Sequence, residues 1–585
     1  MKTRLINENF KENYVEQLLK SRGIENPEAY YNPTKEYLLS PTKLANVAEG
    51  ARLLLDVIER RGNILIVVDS DNDGFTSATI IHNYIQDIAP GYEIDYVLHE
   101  NKQHGLQDHI DKLMDDGGYY SLIILPDSSS NDYEYHERLK KIGAKCLVLD
   151  HHITDTLISD NAIIINNQLS PEYTNKELTG AGVVYQFCRY IDELRGTNYA
   201  DKYMDLAAWG IIGDMGSMLE MENRYISCEG LKKINNKLLW ALMKKQEYSI
   251  TGQMAPSDEE LIAAMNPIST AFYIVPLVNA MIRVGTMAEK KRLFEAFLDG
   301  DKLIPSGKRG AKGTLDKAGN EAARECGNAR NRQNKTLEEA IGAIEIKIHK
   351  YGLLENRILF VRLEDDDQFP AELNGLVAMK LAAKFKRPTI VARLNKEGFD
   401  RGSMRGMNQS EMVSFKDFLE ASSMFEYVAG HDNAAGVSIS DTHLRDFHNW
   451  ANEALVDVDF GENCYDVNFE RIAADVDIGE IVADIDAHKG IYGQQNPEPL
   501  IYVSDINITA NDVKVMGKNM DTVKIEKFGV CYMKFKAKDF IEELKAHSKI
   551  KLDVVGKANM NYWGGTATPQ IFIEDYEITN GALGF

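Results

Sequence analysis

The chain is poor in cysteine, poor in tryptophan and short of positive charge. Its six cysteines (Cys146, Cys188, Cys228, Cys326, Cys464, Cys531) are scattered with no Cys-x-x-Cys pair. That argues against a zinc site or a disulfide framework, and a reducing cytoplasm is the expected location. No stretch approaches the ~20 consecutive apolar residues of a membrane span, so no membrane association is expected. Met1-Lys2-Thr3-Arg4-Leu5-Ile6 runs into Asn7-Glu8-Asn9 rather than an apolar core, and no secretory signal is expected. Lysine and arginine number 66 against 89 aspartates and glutamates, a formal net charge of −23. Nucleic-acid binders are usually basic where they touch phosphate, so this total argues against a broad DNA-coating surface. It leaves room for a narrow channel with local basic walls and bound cations, and some of the acid can serve as metal ligands.

What is present reads as an ordinary globular protein, 44% apolar and 26% charged. At 585 residues it exceeds the ~250–300 at which single cores split, and three or four structural units are expected. Thr42 to Glu59 reads as an amphipathic helix with Val47, Ala51, Leu54 and Ile58 on one face. Short apolar runs follow at 63–68, 121–125 and 145–149, separated by helical stretches. That alternation predicts an α/β domain with a parallel sheet. Residues 300–314 (GDKLIPSGKRGAKGT) read as a flexible connection. A helix is predicted from about 317 to 350, a second α/β segment from 356 to about 455, and a β-rich region from about 465 onward.

The sharp motifs sit just after predicted strands, where ligands of open α/β sheets gather. Asp69-Ser70-Asp71-Asn72-Asp73-Gly74 places three carboxylates in six residues, and these repel one another unless cations neutralise them. A solvated acidic turn is one alternative. An EF-hand loop is another, but its twelfth position would be Ile80 rather than a bidentate Glu, and a β-type run precedes it. Asp127 follows the second run, and Asp150-His151-His152 the third; their oxygen and imidazole donors suit Mn²⁺. Asp214 ends an apolar helix or strand between Gly213 and Gly216, which allow close backbone approach. Four such ends would together build a two-metal site for phosphoryl displacement.

In this order the motifs resemble the DHH phosphoesterase superfamily, named for the Asp-His-His triplet, and the DxDxDG form of the first motif resembles its RecJ branch. The likeness extends to Tyr37-Leu38-Leu39-Ser40-Pro41, His104-Gly105-Leu106, Lys176 to Val183, and Pro276 to Arg283. Arg401-Gly402-Ser403-Met404-Arg405 and Gly430-His431-Asp432-Asn433-Ala434-Ala435-Gly436 resemble motifs of the DHH-associated domain. Tyr492 to Pro499 and Val555-Gly556-Lys557 resemble the approach to an oligonucleotide-binding (OB) fold. Departures fall at Ser129, where the family usually has Gly, at Ala429 in place of the first Gly of GGHxxAAG, and at Pro370 near a usual His.

The resemblance implies an N-terminal lead-in (1–45), a DHH catalytic domain (46–300), a linker and connecting helix (301–352), a DHH-associated domain (353–457) and an OB-type β-barrel (458–585). It implies Asp71, Asp73, Asp127, His151 and Asp214 as metal ligands, with Asp127 bridging and Asp69 as a sixth. His152 would touch the scissile phosphate beside Asp127 and His151. Arg401, Ser403, Arg405 and His431 would bind phosphate oxygens from an opposite wall, and Asn279 and Arg283 would face the same channel. Arg324, Arg330, Arg332, Lys335, Lys380, Lys384, Lys386 and Arg387 would supply local positive charge, with Tyr502, Tyr532 and Trp563 as base-stacking candidates. Glu364 to Asp367 reads as a solvated loop. The implied activity is 5′→3′ degradation of single-stranded DNA to mononucleotides in recombination and repair, by a monomer using two Mn²⁺ ions with Mg²⁺ as the alternative; no protein partner is named. Two other classes stay open: a DHH enzyme acting on nano-RNA, adenosine bisphosphate or a cyclic dinucleotide, and a non-catalytic replication scaffold. No further partner-binding domain is expected after the OB-like strands.

Overall fold

The structure, a computed structural model, describes the chain except residues 102, 155–156, 312, 365–368, 408–409, 411, 546–548, 564–565 and 580–585, and except the side chains of 510 and 563. Most of the acidic run at 364–367, and the side chain of Trp563, therefore lie outside the described residues.

The apolar runs become strands β1 (Ile64–Val68), β2 (Ile94–Leu98), β3 (Leu122–Pro126), β4 (Lys145–Asp150) and β5 (Ile163–Asn166). They pair in the order β2-β1-β3-β4-β5, all parallel. Such strands are apolar throughout because both faces are covered. Ile64, Ile66, Val68, Leu122, Ile124, Leu147 and Leu149 enter one core, and the alternate residues Leu65, Val67, Ile123, Leu125, Cys146 and Val148 enter another, as the two-residue period of a strand dictates. On the first face lie helices α1 (Val47–Glu59), α2 (Asn72–Ile88), α3 (Gly180–Arg195) and α4 (Met204–Gly213). The chain steps from β1 to β2 on one side and returns to β3 on the other, so strand order reverses between β1 and β3. Loops diverge there, opening a crevice at the carboxyl ends.

Two expectations need correction. The first helix begins at Val47 rather than Thr42, because Asn46 is left-handed (φ 64°) and Pro41–Lys43 forms a separate 3₁₀ turn. Residues 300–314 are no loose connection: Leu303–Pro305 pairs antiparallel with Leu315–Lys317. Residues 267–284 form a short helix, a π-helix at Thr270–Ile274 and then α5 (Val275–Val284). This window is long and apolar enough to cross a membrane by composition alone, with a mean hydropathy of 1.3, but 56% of it is buried, as in a core helix. The long helix α6 (Ala318–Lys350) follows.

Packing divides the chain into two compact units, residues 28–333 with 490–497, and residues 1–27, 334–489 and 498–585. Within the first, Met218 donates its amide to the Gln494 carbonyl (3.0 Å) and Arg224 donates to Gly490 (2.8 Å). Most of the stretch expected to lead into the OB fold therefore packs with the parallel-sheet unit. The second unit holds a five-stranded sheet of β6 (Leu359–Leu363), β7 (Thr389–Leu394), β8 (Phe399–Arg405), β9 (Phe425–His431) and β10 (Ala434–Ser440), with α7 (Asn374–Phe385) against β7 and β8. Its order is β9-β10-β8-β7-β6, and only β6 and β7 are parallel. This unit also holds a seven-stranded sheet built largely from residues after 498, and strand Lys2–Leu5 paired with Cys464–Val467.

Residues 205–212 of helix α4 are all buried, and Trp209 at its centre stacks on Phe297 (centroids 5.1 Å apart, 27° between planes). Trp209→Ala is expected to lower the unfolding free energy by about 3–5 kcal/mol, read as a shift of the urea midpoint followed by circular dichroism.

Candidate metal centre

The first motif leaves β1 and immediately starts a helix. Asp71 caps α2, its carboxylate accepting from the Gly74 amide at 3.0 Å, which a helix start with unsatisfied amides favours. Glycine is required at 74: a Cβ there would lie 2.5 Å from the Asp69 Cβ. Asp73, the second residue of α2, points at the start of α3. It accepts from the Gly180 amide (2.7 Å), the Ala181 amide (3.1 Å) and the Thr179 hydroxyl (3.2 Å). Asp127 follows β3, and its amide donates to the Leu149 carbonyl at 2.8 Å. Asp150 ends β4, and His151 and His152 leave it. Asp214 stands at the carboxyl end of α4, not of a strand. Three strand ends and one helix end thus deliver the groups, a correction to the expected four strand ends. The approach is closed by glycines: a Cβ at Gly180 would lie 2.3 Å from an Asp127 oxygen, and one at Gly210 would lie 2.3 Å from an Asp73 oxygen.

All six expected ligands converge. Donor atoms of Asp69, Asp71 and Asp127 lie within 4.8 Å of one another, as do those of Asp73, His151 and Asp214, and those of Asp127, Asp150, His151 and His152. His151 Nε2 is 3.3 Å from Asp127 Oδ1 and 3.4 Å from Asp214 Oδ2. Asp127 and His151 each belong to two sets, the arrangement that neighbouring ions need. Asp69 Oδ1, Asp127 Oδ1 and His151 Nε2 are buried without a hydrogen-bond partner. A buried polar atom so placed costs about 1–3 kcal/mol, and a cation removes that cost. The oxygen-rich donor set with one imidazole fits Mn²⁺ or Mg²⁺.

The electrostatics point the same way. Burial pushes Asp73 up to about 7, with Asp71 adding to it. Burial and the surrounding carboxylates drive Asp127 and Asp214 well above the ordinary range, and burial raises Asp69. His151 is pushed down to about 4 by burial and by its neighbour His152, which keeps the imidazole neutral. His152 goes the other way: burial opposes its charge, but Asp150 outweighs burial and raises it to about 10. Asp150 accepts from His152 Nδ1 (2.8 Å) and from the amides of Ser130 (3.0 Å) and His151 (2.7 Å). Asp150 therefore orients a cationic His152 whose side chain is half exposed.

One neighbour went unread in the sequence. His104 Nδ1 lies 2.6 Å from Asp69 Oδ2. Its loop is tied by Ser70 donating to the Gln103 carbonyl (2.6 Å) and by buried Lys290 donating to the Glu100 carbonyl (2.6 Å). The only sequence signal is the His of His104-Gly105-Leu106. Asn279 and Arg283, from α5, line a cavity of about 160 Å³ together with Asp71, Asp73 and Asp214.

The expected phosphate-binding residues Arg401, Ser403, Arg405 and His431 lie in the second unit and share one face of its sheet. Arg401, Ser403 and Arg405 alternate along β8, and the pairing register places Arg405, Ala434 and His431 in one row across β8, β10 and β9. Gly436 and Ala429 form the next row with Ser403, so small residues flank the polar ones. Arg401 lies 3.8 Å from both Glu397 and Glu426. The expected basic walls are largely taken up by internal contacts. Arg324 pairs with Glu321 (2.7 Å), Arg332 with Glu289 (3.0 Å), Lys335 with Glu339 (3.8 Å) and Lys384 with Glu345 (2.5 Å). Arg330 donates to Gln333, Lys386 to the Gly461 carbonyl and Arg387 to the carbonyls of Leu354 and Asn356. Tyr532 is fully buried and Tyr502 donates to Asp553 (3.3 Å); burial removes Tyr532 as a stacking surface.

Residues 63–211 match the DHH family, N-terminal domain, and residues 477–575 match the RecJ OB domain. Over 99% of its length the chain is 36% identical to a Bacillus subtilis protein named as an SPbeta prophage-derived single-strand DNA-specific exonuclease, YorK, covering 98% of that protein. The chain belongs to the RecJ family. It is 23% identical to the single-stranded-DNA-specific exonuclease RecJ of B. subtilis over 97% of its own length and 68% of that protein's. It shares its fold with the Mn²⁺ complex of Thermus thermophilus RecJ at a TM-score of 0.71 and 16% identity, over 99% of this chain and 80% of that one. Against the usual RecJ pattern the Ser at 129 now has a physical meaning: Ser129 has a φ of 77° and Asp127 a φ of 65°, left-handed conformations that favour glycine.

Left-handed backbone costs a non-glycine residue about 1–2 kcal/mol, so Ser129→Gly is expected to stabilise the fold by about 1 kcal/mol, measured by denaturant titration. A pH effect follows from the carboxylates. Asp73, Asp127 and Asp214 hold protons more tightly folded than unfolded. Their contribution to stability is therefore present at low pH and lost as pH rises through the folded values, about 7 for Asp73. In EDTA the melting temperature should fall from about pH 5 to about pH 8, and saturating Mn²⁺ should abolish the fall; a rise over that window in EDTA would contradict the assignment.

Proposed function

We propose that this protein is a metal-dependent exonuclease that hydrolyses single-stranded DNA 5′→3′ to mononucleotides, with two Mn²⁺ ions (Mg²⁺ as the alternative) held by Asp69, Asp71, Asp73, Asp127, His151 and Asp214. The observation that carries it is the convergence of these donors around buried, unpartnered Asp69 Oδ1, Asp127 Oδ1 and His151 Nε2. Paired divalent ions supply an acidified water and stabilise charge on the attacking and leaving oxygens. The protein's own groups do the rest. His152, kept cationic by Asp150, binds the non-bridging oxygens of the phosphate about to be cut. Arg283 and Asn279 hold the phosphate from α5. His151, kept neutral by burial, donates a lone pair rather than a proton. Arg401, Ser403, Arg405 and His431 take phosphate oxygens in the second unit. The names of YorK and RecJ support single-stranded DNA as the polymer. We assign the protein to DNA recombination and repair in the cytoplasm, acting as a monomer.

The test is a single strand labelled at its 3′ end or its 5′ end, incubated with Mn²⁺. Mononucleotides should appear at once from the 5′ label, with 3′-labelled fragments shortening progressively. Asp127→Ala should lower the rate by ~10²–10³-fold, the range for losing one element of preorganised charge stabilisation, here through the ions that Asp127 holds. Equal digestion by Asp127→Ala, or release from the 3′ end first, would sink the reading.

A further inference from the structure

A little over half of the helical run through residues 267–284 is buried. Between residues 272 and 283 the positions that are not buried are Phe272, Tyr273, Pro276, Asn279 and Arg283. Phe272, Pro276, Asn279 and Arg283 recur at intervals of four, three and four, which is one stripe of a helix. One end of the stripe, Asn279 and Arg283, lines the cavity that holds Asp71, Asp73 and Asp214. The other end is Phe272, 71% exposed, with Tyr273 beside it at 40%. Both rings stand on the π-helix Thr270–Ile274, which packs against α4, the helix that delivers Asp214. An isolated π-turn widens a helix locally and frequently marks a functional position. Here it turns two large aromatic side chains outward from a segment in which Ile274, Val275, Leu277, Val278 and Met281 are buried.

We infer that Phe272 is a stacking platform for a base of the strand whose phosphate occupies the metal centre. This rests on the reading above that the substrate is single-stranded DNA. Seven residues separate Phe272 from Asn279, about 10 Å along the axis at ~1.5 Å per residue. That is no more than about three nucleotides at the ~3.4 Å spacing of one strand in duplex DNA. Stacking on an aromatic face tolerates every base, as an enzyme consuming a strand of any sequence requires. The stripe is continuous: polar and cationic at the phosphate end, aromatic at the base end, with Pro276 between.

The experiment uses the full chain and a set of oligonucleotides carrying one abasic position, moved nucleotide by nucleotide from the 5′ end. Binding is read by fluorescence anisotropy in EDTA and hydrolysis in Mn²⁺. In the parent, one position should weaken binding roughly ten-fold when abasic, the size expected of one aromatic–base stack. Phe272→Ala should weaken binding of intact DNA by a similar factor and show no further loss at that position, raising KM with little change in kcat. Phe272→Trp should restore both, and Phe272→Leu, which keeps the apolar bulk, should not. Unchanged affinity in Phe272→Ala, or an abasic penalty that persists undiminished in it, would overturn the platform. The binding arm judges the platform without hydrolysis; a parent that binds and shows the Phe272-dependent abasic effect but never cuts would refute the proposed activity and leave the platform standing.

Discussion

Everything around the metal centre answers one electrostatic problem: too many carboxylates in too small and too dry a space. Unit charges about 4 Å apart interact by roughly 4 kcal/mol at the effective dielectric of a protein, and here Asp69, Asp71, Asp73, Asp127 and Asp214 repel one another. The fold tolerates them because backbone dipoles and glycines are arranged around them. The amide start of α3 faces Asp73, the start of α2 takes Asp71, and Gly180 and Gly210 leave room where any Cβ would collide with a carboxylate oxygen. What remains unsatisfied is the set of buried lone pairs that a pair of cations fits.

The Asp-His-His triplet divides its labour by environment. His151 and His152 are adjacent in sequence and their rings are 4.5 Å apart, yet they are driven in opposite directions. His151 lies deep, beside its charged neighbour, and stays neutral; His152 leans on Asp150 and stays charged. Neutral imidazole suits a metal and imidazolium suits a phosphate, so two adjacent residues are prepared for different partners. Asp150 makes the difference through its contacts with Ser130, His151 and His152.

Much of the centre was legible because it is carried by local grammar. An apolar run followed at once by a carboxylate marks the end of a buried strand, and Asp69, Asp127 and Asp150 all obey it. Asp214 obeyed a different rule: its apolar run is a buried helix, and periodicity alone does not separate that from a strand. His104 escaped because a single histidine beside a glycine in a loop has no periodic signature. The basic residues of α6 were overvalued for the opposite reason: charge is visible in sequence, but the glutamates that neutralise Arg324 and Arg332 are chosen by packing.

The order of motifs along the chain was enough to place the parallel sheet and to point to the DHH and RecJ resemblance, because strand-end placement and residue chemistry are local properties. Folding in three dimensions settled matters that depend on distant segments meeting. It set the approach of Gly180 to Asp127 and of Gly210 to Asp73, and it recruited residues 490–497 into the parallel-sheet unit. It put Arg401, Ser403, Arg405 and His431 on one face of their sheet through the register of three strands. It also left Phe272 uncovered at the end of the stripe that begins at Arg283, since exposure is a property of what packs against a residue and not of the residue itself.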